Sequence, residues 1–63
     1  MTFKKTSKES WKASKENKTF YIDKETNGIY SIYFLTILEN KNVILNDVNF
    51  FKLNEAKQYA KQY

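Results

Sequence analysis

The sequence predicts an α+β fold: a three- to four-stranded antiparallel sheet followed by one C-terminal helix packed on one face. Three observations carry this expectation. Segments 10–14, 19–23, 29–38 and 43–48 run apolar or alternate apolar with polar residues, and polar turns separate them, which is the pattern of strands. Asn27-Gly28 lies between two of these segments and is the strongest short signal for a hairpin. After residue 52 the apolar positions become Leu53, Ala56, Tyr59, Ala60 and Tyr63, the spacing of a helix.

Taken in order, residues 1–9 hold Phe3 as their one apolar anchor after Met1, so they read as a flexible arm or a short edge strand. In "SWKAS" (10–14), Trp11 and Ala13 point inward while Lys12 and Ser14 point out. Trp11 reads as a core anchor. "KENK" (15–18) is a polar turn, and "TFYID" (19–23) sets Phe20 and Ile22 on one side and Tyr21 on the other. "KETNG" (24–28) closes on the chain's single glycine, where a positive φ is free of side-chain strain. "ENKN" (39–42) turns the chain again into "VILNDV" (43–48). The last element, 52–63, places Tyr59 against the sheet and Lys57 in solvent. Either Asn54 or Lys52 stands at its N-cap, with Glu55 near the positive end of the helix dipole.

The strand 29–38 is apolar on both sides. Ile29, Ser31, Tyr33, Leu35 and Ile37 face one way, and Tyr30, Ile32, Phe34, Thr36 and Leu38 face the other. One helix covers one of these faces. The second needs another cover, which is either a curled sheet with the N-terminal segment folded across it or an interface. Tyr30, Ile32 and Phe34 are the candidate residues of that interface, and a homo-oligomer is the expected consequence.

Size points the same way. The 63 residues suit a single small domain, which buries only about 60% of the surface its unfolded chain exposes. Domains this small usually depend on a further stabilising device. With no Cys and no His, disulfides and nearly all transition-metal sites are excluded. The same gap removes the usual general bases and nucleophile pairs. There is also no glycine-rich phosphate loop, so the expectations are no enzyme, no catalytic residues, no metal and no cofactor. Met1–Ser10 lacks the apolar core of a signal peptide. The run 29–38 is about half the length of a membrane helix. A cytoplasmic protein with no membrane contact is expected.

The net charge of +4 is carried by lysine, with no Arg. Residues 1–18 contribute +4, residues 19–47 contribute −2 and residues 48–63 contribute +2. Lys4, Lys5, Lys8, Lys12, Lys15 and Lys18 are therefore candidate nucleic-acid contacts, weak and non-specific, aimed at phosphates. The alternative is base composition, since a chain rich in Lys, Asn, Ile and Tyr is what an AT-rich genome produces. Without Arg, the bidentate reading of guanine is missing. Aromatics are abundant, with five Tyr, five Phe and one Trp. Tyr21, Tyr30 and Tyr33 lie on adjoining strands and offer either a base-stacking platform or bulk for a small core.

Trp11, "YIDKETNG" (21–28), Phe51 and "LNEAKQYA" (53–60) together resemble the arm-type DNA-binding domains of tyrosine recombinases. The resemblance implies three antiparallel strands before one helix, with the sheet docked in the DNA major groove. Asn27 stands as an insertion between Thr26 and Gly28, and Ile29 follows where that family places Lys or Arg. The element order is also similar to that of small phage and mobile-element proteins, some of which inhibit host defence. Two functions follow as expectations. The first is a nucleic-acid-binding accessory protein using the N-terminal lysines. The alternative is a phage-type protein–protein inhibitor or adaptor using the apolar sheet face.

Overall fold

Segments joined by two-residue turns pair with their sequence neighbours, so a chain of such segments builds a meander. A computed structural model describes residues 1–63. The strands are β1 (Lys4–Ser7), β2 (Ser10–Lys15), β3 (Lys18–Asn27), β4 (Tyr30–Glu39) and β5 (Asn42–Phe50), followed by helix α1 (Leu53–Ala60). They form one antiparallel sheet in the order β1-β2-β3-β4-β5. No helix is long and apolar enough to cross a membrane. The α+β architecture with a C-terminal helix is as expected, but the sheet has five strands rather than three or four. The extra strand comes from residues 1–9, where Lys4 pairs with Lys12 and Lys5 with Trp11.

The turns explain the register. β3 runs on to Asn27, and the hairpin turns at Gly28 and Ile29, so Asn27 pairs with Tyr30. Gly28 has φ 66°, the requirement at the first central position of a type II′ turn. The long strand therefore begins at Tyr30 and not at Ile29, which sits at the apex and is 93% exposed. Asn40 and Lys41 both have positive φ, 51° and 70°, as a type I′ turn demands. β3 and β4 also outrun their neighbours: β2 pairs no further than Asp23 and β5 no further than Tyr33. Residues 24–32 thus form a projecting two-stranded ribbon. It is tied back by the Lys24 N–H, which donates to the Glu9 carbonyl at 2.8 Å.

The core lies between the sheet and α1. Phe20 pairs with Ile37 and Ile22 with Leu35, and all four side chains are fully buried together with Ala56 and Ala60 of the helix. The two alanines let the helix backbone approach the sheet closely. α1 lies against β4 and β5, with Lys52 at the N-cap and Glu55 in the first turn. Phe3 packs edge-on against Phe20 at a centroid distance of 6.3 Å. Residues 1–3 run beside the helix and share a cleft with Asn54, Lys57, Gln58 and Lys61. Lys57, which was expected to be exposed in solvent, is half-buried. Tyr59 is also only half-buried, because it sits at the margin between Phe50 (5.4 Å) and Tyr63 (5.8 Å). The helix ends at Ala60 rather than at residue 63.

Candidate functional site

The face of the sheet away from α1 has no layer over it. Cross-strand partners share a face, so the pairing places a ridge along β4 there: Tyr30, Ile32, Phe34, Thr36 and Leu38. Ile32, Phe34 and Leu38 are half-buried by their neighbours in the sheet. Tyr30 is 64% exposed, and Val43 beside Leu38 is 56% exposed. The three residues expected at an interface therefore stand on this uncovered face, Tyr30 and Ile32 on the projecting ribbon and Phe34 further down the strand.

Acidic side chains flank the ridge. On the β3 side, Phe34 pairs with Asp23 and Ile32 with Glu25. Ser10 donates a hydrogen bond to Asp23 Oδ1 at 2.6 Å, holding that carboxylate beside β2. On the β5 side the ladder bulges between Leu35↔Val48 and Ile37↔Leu45. Asp47 occupies the bulge at φ 49°, a conformation that Asp tolerates better than most residues. Its N–H donates to Thr36 Oγ1 at 3.2 Å, and the Thr36 hydroxyl donates back to Asp47 Oδ1 at 3.3 Å. The bulge thus fixes a second carboxylate at the border of the ridge.

The six N-terminal lysines do not share a face. Lys4 and Lys12 are cross-strand partners on the open face, and the Lys12 ammonium lies 5.6 Å from the Tyr21 ring centroid. Lys5 is on the helix side, 5.6 Å from the ring centroid of Trp11. Lys8 is exposed in the β1–β2 turn. Lys15 Nζ donates to the Tyr63 carbonyl oxygen at 3.4 Å, and Lys18 pairs with Glu39 at 3.4 Å. Of the tyrosines, Tyr21 and Tyr30 face the open side, and Tyr33 faces the helix side next to Trp11. The Tyr63 phenol is pushed above its ordinary range, first by its hydrogen bond with Tyr59 and then by desolvation.

Lys24 was not singled out from the sequence, although its ammonium lies 6.0 Å from the Tyr33 ring centroid. A hairpin turn centred on Gly28-Ile29 makes Lys24 and Tyr33 direct partners, so the turn type held the missing signal. Compared with known proteins, the chain matches no family model, no curated protein and no solved structure.

Proposed function

We propose that the chain is a non-catalytic binding protein that docks another protein through the open face of its sheet. The observation that supports this reading is the β4 ridge, where Ile32, Phe34 and Leu38 are half-buried by their neighbours in the sheet and have no layer in front of them. Apolar ridges of this kind on small domains mark interfaces. The flanking Asp23, Glu25 and Asp47 would repel a phosphate backbone laid along the ridge, and the lysines of the same face, Lys4 and Lys12, stand apart from it on β1 and β2. The carboxylates suit the polar rim that surrounds the apolar centre of a protein interface.

The first occupant to test is a second copy of the chain, because its core of seven buried residues has no disulfide behind it. Light scattering coupled to size exclusion over a concentration series provides the test. The wild type is expected to dimerise, and Phe34→Glu to remain folded by circular dichroism and monomeric. A wild type that stays monomeric at millimolar concentration would overturn self-docking. Docking to a different protein predicts that Phe34→Glu abolishes the biological activity while Lys4→Gln/Lys8→Gln leaves it intact; the reverse pattern would overturn the whole reading.

Contact with nucleic acid through all six N-terminal lysines has less support, because those side chains are divided between two faces and a turn. Two of them, Lys15 and Lys18, already have partners.

A further inference from the structure

The helix side of the sheet carries a second surface, separate from the β4 ridge. α1 lies against β4 and β5, so the part of this face near the projecting ribbon is left at the margin of the core. Trp11 of β2 and Tyr33 of β4 meet there across β3, with ring centroids 6.0 Å apart and planes tilted by 53°. Both rings are half-buried. Each carries a lysine ammonium above it, Lys5 at 5.6 Å from the Trp11 centroid and Lys24 at 6.0 Å from the Tyr33 centroid. Lys5 and Lys24 come from β1 and β3, two strand spacings or about 10 Å apart. Lys8 stands in the adjoining β1–β2 turn, whose Glu9 carbonyl accepts the Lys24 N–H.

The charges sort by face at this end of the sheet. Asp23 and Glu25 of β3 take the open side, whereas Ile22, Lys24 and Thr26 take the helix side. Opposite them on β4, the helix-side partners are Leu35, Tyr33 and Ser31. The strand positions that surround the Trp11–Tyr33 pair carry no carboxylate; the acid that adjoins them is Glu9, exposed in the β1–β2 turn opposite Lys24. A surface with two aromatic rings, two lysines above them and no sheet acid beside them fits a ligand that combines flat π-systems with negative charge.

We infer that Lys5, Trp11, Lys24 and Tyr33 form a binding site for a short stretch of single-stranded nucleic acid. Bases displace the lysine ammoniums from the ring faces and stack on Trp11 and Tyr33, and the ammoniums turn outward onto the flanking phosphates. Stacking of this kind is tolerant of sequence, which suits a chain without arginine. A duplex keeps its bases stacked on one another and cannot offer them to the rings, so single strands are the preferred form.

Trp11 is the only tryptophan, so its intrinsic fluorescence reports on this site alone. The experiment titrates the full chain with a twelve-nucleotide oligothymidylate, the matching duplex, and polyglutamate of equal charge, at low and moderate salt. The single strand is expected to quench Trp11, and the duplex and polyglutamate to quench it little. Quenching should weaken as salt rises, with a shallow slope set by two or three lysine–phosphate contacts. Tyr33→Ala is expected to weaken binding roughly 5- to 150-fold, the range for loss of one stacked base. Lys5→Gln/Lys24→Gln leaves both rings in place and should weaken binding, whereas Lys41→Gln/Lys52→Gln removes the same charge elsewhere and should not. The site is overturned by an unquenched Trp11 at low salt, by polyglutamate or duplex matching the single strand, or by equal effects from the two lysine pairs.

Discussion

The two faces of this sheet are built from the same strands, and in β4 from alternate residues of one segment, yet they end in opposite states. On one face Leu35 and Ile37 are fully buried; on the other, Ile32, Phe34 and Leu38 are half-buried with nothing over them. The side chains differ little in hydrophobicity. What differs is the cover: a helix whose Ala56 and Ala60 bring it close on one side, and none on the other. Apolarity in the sequence therefore marks where a partner is needed, and topology decides whether the chain itself supplies it. Here it supplies one helix for two apolar faces.

The largest test of this contrast is Phe20→Ala. Phe20 is fully buried against Phe3, Ile37 and the helix layer, and its truncation should cost about 3–5 kcal/mol. That is a large share of a small domain's stability, and urea denaturation should find the variant largely unfolded. Phe34→Ala on the open face should cost only about 1 kcal/mol in the isolated chain, because much of its surface remains in water either way. If Phe34→Ala proves as damaging as Phe20→Ala at a concentration where the wild type is monomeric, the two faces are not different in the way described. The smallest effect is a gain. Lys41 holds φ 70°, where a side chain is strained and glycine is not, so Lys41→Gly should stabilise the chain by about 0.5–1 kcal/mol. In that background, charged substitutions on the open face can be compared without approaching the unfolding threshold.

Strand faces were legible in the sequence because they depend only on alternation. Trp11 with Ala13, Phe20 with Ile22, and Leu35 with Ile37 all take the side that alternation assigns. Register was less legible. A turn centred on Asn27-Gly28 would pair Phe20 with Leu35, whereas the turn on Gly28-Ile29 pairs Phe20 with Ile37. The two alternatives differ by an even number of residues, so the faces survive the error and the partners do not. That shift also hid the Lys24–Tyr33 pair and moved Ile29 from the strand to the apex. β1 was ambiguous because its four residues carry no apolar side chain at all; its place is held by backbone pairing and by Phe3 just before it. The cleft that Met1–Phe3 share with Lys57 and its helix neighbours brings distant parts of the chain together, which no local pattern encodes.

The irregularities of β5 bear on how such a molecule avoids growing into a fibre. A straight outer strand is a template on which further copies add without limit. β5 is interrupted twice, once where Asp47 bulges opposite Thr36 and again between Leu45 and Val43, where Ile44 has no partner of its own. An incoming chain would have to reproduce both kinks to pair along it. The opposite border, β1, offers only four residues, two of them Lys4 and Lys5, and like charges would oppose a copy laid alongside. Both borders of the sheet are thus poor templates for lateral addition, one because it is kinked and the other because it is short and charged.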